Sequence, residues 1–389
     1  MKPEETIAVV TGAQEYWAPT STQSLRMAAA FSEIGCRVLY LECGGSGGQF
    51  KEKTAGLEEA APGVFKAADR EDFFVGRVGS LPGMRLSFPN AARYMHCRSA
   101  SHKIDAFLAA EQEKRSILAV HYGWFFPELL VRRDDVVHVY ECLDDHTAAL
   151  NIRGWQWRRQ YVRKVEGRLL ARADLTVFSS PVLAASRKEV ARRAEVIPLG
   201  VEGRHFARAP KGDPHEARGI AAPRVGFLGR VTGREDWALV AAAAEAAPRW
   251  QWVVLGPHEG TRLPGGPDNL HFVGGAPYSE LPDWLGNWEA AFVPLADSEF
   301  NRASWPLKFY ELLAAGLAVA ATPLPAALQL QSQTGGLVLP AEGWTAADLC
   351  DAVDRSIAER ERARGAGPDF AARHSWTARA ERILGLASE

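Results

Sequence analysis

The chain has 389 residues, room for two domains of ordinary size, and its 47% hydrophobic and 24% charged content are globular values. A formal net charge of −2 argues against a general nucleic-acid binder. Five cysteines (Cys36, Cys43, Cys97, Cys142, Cys350) are scattered and odd in number, which weighs against a disulfide framework or a zinc site and suits a reducing compartment. No secretory signal and no twenty-residue apolar run stands out, so the expected location is cytoplasmic.

In chain order, Ile7 to Val10 reads as a strand closed by Thr11-Gly12, and helical spacing runs from Ser24 to Ile34 before Gly35. Arg37 to Leu41 is the next strand. Residues 44–63, rich in Gly, Lys and Glu, read as a mobile loop. A helix over roughly 98–114 leads to the strand Ser116 to His121. Val136 to Tyr140, Leu175 to Phe178 and Glu195 to Ile197 are further strand candidates. Between them, residues 151–173 carry Arg153, Arg158, Arg159, Arg163, Lys164, Arg168 and Arg172 against the single acid Glu166, with Trp155, Val162, Val165 and Leu169 at helical spacing. Such a helix can lie on an anionic bilayer, or pack on the core with a solvated basic face.

The periodicity lapses over 204–222, which reads as a linker. Strands at Val225 to Leu228, Trp252 to Leu255, Leu270 to Val273 and Ala290 to Val293 alternate with helices, the first over 236–247. Helices near 344–363 and 374–386 finish the chain. Apolar strands alternating with helices predict parallel sheets covered on both faces. The expected organisation is an N-terminal domain over 1–203, the linker, a second domain over 223–370, and a final helix within 371–389.

The most informative stretch is 301–321. A polar loop runs into Pro306, suited to a first helical turn, and the helix stops at Gly316 before the apolar run Leu317 to Ala321. Lys308 and Glu311 share a face near the helix start. A helix N-terminus bearing a lysine suits an anion, and a carboxylate beside it can accept hydrogen bonds from a sugar diol.

This segment resembles the donor-binding motif of GT-B glycosyltransferases, specifically the retaining family-4 group. "PLKFYELLAAG" is similar to a subgroup of teichuronic-acid-type and other surface-polysaccharide transferases. Glu311 matches the second of the family's two glutamates; the first would fall at Ala303. "ADLTVFSSPVLAAS", "VIPLGVEGRHF", "RVGFLGRV" and "NLHFVGGAPYSELPDWLGNWEAAFVPL" follow the family's order over nearly the whole chain. The resemblance implies an α/β GT-B fold, two doubly wound Rossmann-like domains facing a central cleft, with the helix within 371–389 crossing back to the N-terminal domain. It also implies transfer of a sugar from a nucleotide sugar to a glycan, lipid-linked or small-molecule hydroxyl, with no cofactor and no metal.

It implies site residues as well. Arg230, Lys308 and Gly12 would face the donor diphosphate, and Glu311 the ribose. Asn301 and Ser304 would lie near the donor sugar, with Glu299 as a carboxylate in a shifted position. Pro277, Tyr278 and Leu281 would read the base. His121, Asp144 and Asp145 end strands in the first half and are candidates at the reacting centre or the acceptor. Each has a plainer reading: a surface ion pair of Arg230 with Glu235 or Asp236, a Lys308–Glu311 pair, a structural His121, helix capping by Asp144 or Asp145. Two rival functions remain, a GT-B nucleotide-sugar 2-epimerase and a non-catalytic GT-B-like partner subunit.

Overall fold

A computed structural model describes residues 1–12, 23–42, 47–78, 89–111, 113–122, 136–149, 156–214, 217, 219–258 and 265–389. The chain divides into two compact units: Met1–Leu199 with Trp376–Glu389, and Gly200–Ser375.

The first unit runs β1 (Thr6–Gly12), α1 (Gln23–Glu33), β2 (Arg37–Glu42), α2 (Gly47–Thr54), β3 (Glu59–Ala61), β4 (Val64–Lys66), β5 (Phe73–Arg77), α3 (Pro89–Ala110), β6 (Ser116–Tyr122), β7 (Val136–Cys142), α4 (Gln156–Arg172), β8 (Leu175–Phe178), α5 (Pro181–Arg187) and β9 (Ala194–Val196). Its sheet has the order β3-β4-β5-β2-β1-β6-β7-β8-β9. The ladder is parallel from β5 through β9, with β3 and β4 added antiparallel at one edge. Every residue of β1 is buried, as expected of a strand covered on both faces.

The second unit runs α6 (Gly203–Phe206), β10 (Arg224–Leu228), α7 (Trp237–Ala246), β11 (Gln251–Leu255), β12 (Leu270–Gly274), α8 (Leu281–Leu285), β13 (Ala290–Val293), α9 (Glu299–Ala303), α10 (Lys308–Ala314), β14 (Val319–Ala321), α11 (Pro325–Gln333), β15 (Val338–Pro340), α12 (Ala346–Ala358) and α13 (Arg360–Ala372). Its six strands, ordered β12-β11-β10-β13-β14-β15, are all parallel. The order reverses between β10 and β13, the arrangement that leaves a ligand crevice beyond the carboxyl ends of the strands. The last helix, α14 (Trp376–Leu386), returns to the first unit and packs on α1.

Four local expectations change. Residues 47–66 hold α2 and the β3–β4 hairpin where a mobile loop was expected. Helix α3 starts nine residues earlier than the spacing suggests and stops at Ala110. The helical stretch near 344–363 is divided at Glu359 into α12 and α13, and α13 packs on α10 with Gly367 against the Leu313 carbonyl. The stretch expected to be a linker is folded into the second unit. Phe206, Ala217 and Ile220 join its core beside Trp284 and Leu285. Arg224 holds Asp213 through two nitrogens at 2.6 and 2.9 Å.

Candidate functional site

The site grows from the end of β10. Gly226 lies under Trp288, where a Cβ would come within 2.1 Å of the indole. Beyond the strand, Gly229 takes φ +135°, a conformation side chains disfavour, and a Cβ there would meet Lys308 Cε and Nζ at 3.0 Å. Glycine at this position lets the ammonium rest against the backbone. Arg230 follows directly and is exposed.

The next turn is pinned at both ends. Ala296 N–H donates to the Arg234 carbonyl, Asp236 N–H donates to the Pro294 carbonyl, and Asp236 caps α7 by accepting from Leu239 N–H. Glu235 is buried between them. One carboxylate oxygen accepts from Thr232 N–H and Oγ1 at 3.0 and 2.8 Å, and the other accepts from Lys308 Nζ at 3.3 Å.

Lys308 is the first residue of α10, two positions beyond Pro306. Its ammonium also lies 4.1 Å from the centre of the Phe227 ring. Burial pulls its pKa below the ordinary lysine value; Glu235 opposes the shift and the neighbouring Arg234 charge adds to it. Glu311 lies one turn along, half-buried, and its charge acts on the same ammonium. Among the described residues no ion pair joins Arg230 to Glu235, which is engaged by Lys308 and Thr232, or to Asp236, whose carboxylate caps α7.

Asn301 and Ser304 are both buried, and neither is open to a sugar. The Asn301 side-chain amide donates to the Arg234 and Ala296 carbonyls, each at 2.8 Å, and its oxygen accepts from Arg234 Nε at 3.0 Å. Ser304 Oγ accepts from Arg234 Nη2 at 3.1 Å and donates to the Asn301 carbonyl. The Arg234 guanidinium also lies over Phe300, 4.6 Å from the ring centre. Arg234 is the functional candidate that the sequence reading missed. Its partners lie 67 and 70 residues further on, and the one local signal is a second arginine in the turn after the strand. Ala303 is buried and Glu299 is exposed at the start of α9.

The expected base contacts are partly engaged. The Tyr278 ring stacks on His205 with centroids 4.0 Å apart, and its hydroxyl donates to Glu202. Leu281 packs against the core, and Pro277 is exposed.

In the first unit, three candidate residues have structural surroundings of their own. Gly12 is required by packing, since a Cβ would lie 2.2 Å from the Tyr40 hydroxyl and 2.6 Å from Ser24 Oγ. His121 is 1% exposed and its Nε2 lies 3.1 Å from His138 Nδ1. Burial, then the His138 ring, holds its pKa well below the ordinary value, so it is neutral at neutral pH. Asp145 is held in the turn that follows β7, its carboxylate accepting from Thr147 and Ala148 N–H. Its burial alone would raise the pKa, but hydrogen bonds from Thr147 N–H and Oγ1 and the Arg187 charge at 2.8 Å lower it. Asp144 beside it is half-exposed. The loop after β1 (Gln14 to Thr20), Gly123 and Trp124 lie outside the described residues.

Residues 222–359 match the family described as glycosyl transferases, group 1. A putative teichuronic acid biosynthesis glycosyltransferase, TuaH of Bacillus subtilis (strain 168), is 30% identical over 211 residues. That match covers 50% of this chain and 52% of the relative, so the chain spans about half the length of the curated protein it matches. Among solved structures, sucrose-phosphate synthase from Thermosynechococcus elongatus superposes with a TM-score of 0.68 at 18% identity, over 98% of both chains. Anabaena HepE, solved in complex with UDP and glucose, gives 0.62 at 13% identity over 99% of this chain and 100% of its own. At those identities the likeness establishes the fold. The chain therefore has the GT-B fold, and within it residues 222–359 are similar to the group 1 glycosyl transferases.

Proposed function

We propose that the protein is a glycosyltransferase that moves a sugar from a nucleoside-diphosphate sugar to a hydroxyl of a glycan, lipid-linked or small-molecule acceptor. The observation that carries this reading is the group of cations at the end of β10, Arg230, Arg234 and Lys308, within a segment similar to the group 1 family. In the transfer, the bond from the anomeric carbon to a diphosphate oxygen breaks. A bond to the acceptor oxygen forms, and the acceptor proton leaves. The diphosphate departs with added negative charge, which fixed cations stabilise without reorganising. Guanidinium and ammonium groups supply this without a metal, so the reaction is proposed as metal-independent. Glu311 would accept from the ribose, and Asp144 is the acceptor-side carboxylate. Retention follows from the resemblance of the 301–321 segment to family-4 enzymes.

Lys308→Ala and Glu311→Ala test the assignment. Each is expected to weaken nucleoside-diphosphate binding by roughly tenfold or more, the scale of one lost charged hydrogen bond, and to leave the unliganded melting transition cooperative. Unchanged affinity in both variants would remove these residues from the site.

A membrane surface is the proposed second partner. Val162, Val165 and Leu169 of α4 are buried, so the helix has no apolar stripe for insertion. Its outer face keeps Arg163, Lys164, Arg168 and Arg172 exposed, with Trp157 49% exposed at the start, while Glu166 is buried and bound by Arg187. Such a face suits electrostatic contact with anionic lipid. Cosedimentation with phosphatidylglycerol vesicles, absent with phosphatidylcholine and lost in Arg163→Glu/Lys164→Glu, is the expected result; equal behaviour in both lipids would dismiss the contact. A cytoplasmic location is part of the same proposal, and Cys36, Cys142 and Cys350 are free thiols.

A further inference from the structure

Resting on the nucleotide-diphosphate reading above, we propose that Asn301 and Ser304 are positioning residues. They aim the Arg234 guanidinium at the donor diphosphate and leave its charge uncompensated. The inference starts from how this arginine is held. Elsewhere in the same unit, arginines meet carboxylates: Arg224 meets Asp213, Arg302 meets Asp297 and Arg208 meets Asp283. Arg234 is held instead by neutral acceptors, Asn301 Oδ1 at 3.0 Å and Ser304 Oγ at 3.1 Å, with the Phe300 ring against its plane.

A long side chain is costly to immobilise, and a carboxylate would be the ordinary partner for a purely structural arginine. Two neutral acceptors fix Nε and Nη2 in place while the full positive charge remains. Among the described residues, Nη1 makes no hydrogen bond. The charge is felt at Lys308, whose pKa Arg234 helps to lower. Lys308 is partly compensated by Glu235 at 3.3 Å, so Arg234 is the less neutralised of the two cations. An immobilised, uncompensated guanidinium is half of a charge-assisted hydrogen bond whose anionic half is missing.

The amide also fixes the turn itself. Asn301 Nδ2 holds the Arg234 and Ala296 carbonyls at once, and Ala296 N–H donates to that same Arg234 carbonyl. The backbone that carries the arginine and the arginine's tip are therefore set by one side chain from α9.

A double-mutant cycle on UDP binding, read by titration calorimetry, tests the proposal. Arg234→Ala is expected to weaken UDP binding about 10- to 100-fold, and Asn301→Ala or Ser304→Ala about 3- to 10-fold. In the Arg234→Ala background, neither second substitution should weaken binding further, because both act through that side chain. Melting of the unliganded variants is measured alongside. If Asn301→Ala lowers it, Ser304→Ala, which removes fewer bonds, carries the cycle. Equal losses with and without Arg234 would overturn the positioning role. So would an Arg234→Ala protein that binds UDP as tightly as the parent, and both results leave the nucleotide reading standing. A parent protein that binds none of UDP, GDP, ADP or dTDP would overturn the nucleotide reading, and this inference with it.

Discussion

At the scale of single residues, Lys308 is desolvated, with the Phe227 ring against its ammonium and Glu235 beside it. Its folded pKa lies below the ordinary 10.5. The unfolded chain therefore binds the proton more readily, and this one group adds stability as pH rises through its folded pKa toward 10.5. Diphosphate binding moves the opposite way, because the neutral amine no longer attracts the anion. Affinity is expected to fall as pH rises through a pKa below 10.5, and Lys308→Arg, which stays charged, should flatten that fall. An identical pH profile for both proteins, measured by nucleotide titration, would show that Lys308 does not face the ligand. The sequence nominates Lys308, Glu311 and Arg230 as candidates because their signals are local: a lysine at a helix start, an acid one turn on, an arginine after a strand-ending glycine. It did not expose Arg234, whose meaning depends on an amide and a hydroxyl far along the chain. Asn301 and Ser304 are buried beside Arg234, and their hydrogen bonds go to protein partners.

At the scale of elements, α14 is anchored by a buried ion pair. Arg379 donates to both oxygens of Glu141 at 2.5 and 2.8 Å, and further to the Ile197 and Pro198 carbonyls. Both side chains are almost fully buried, at 2% and 0% exposure. Removing one partner strands the other charge, so Arg379→Ala is expected to destabilise by about 3–5 kcal/mol. Glu141→Gln, which leaves the guanidinium its carbonyls, should cost less. Denaturant unfolding checks both, and a loss below about 1 kcal/mol for Arg379→Ala would mean that the helix is held by packing with α1 alone. The last helix was legible from its periodicity and its return was implied by the family resemblance; its anchor was legible from neither, because a mid-helix arginine looks solvated until its partner 238 residues away is known. Short strands were hidden for a different reason. β3 and β4 have three residues each and carry Glu, Ala and Lys, too brief and mixed to show an alternation.

At the scale of the whole molecule, the apolar runs from Ile7 to Val10 and from Val225 to Leu228 foretold two parallel sheets, because strands buried on both faces read as continuous apolar segments. The stretch 204–222 did not read as folded because its order comes from a few spaced anchors, Phe206, Ala217 and Ile220, among charges and prolines.

The central claim is that the second unit binds a nucleoside diphosphate without a metal. Thermal unfolding with UDP, GDP, ADP and dTDP, each in EDTA and in magnesium, measures it directly, since a ligand that favours the folded state raises the apparent melting temperature. The account predicts a rise with one nucleotide that is the same in EDTA and in magnesium. No rise with any of the four would contradict it and favour a non-catalytic partner protein, and a rise that vanishes in EDTA would contradict the metal-independent site.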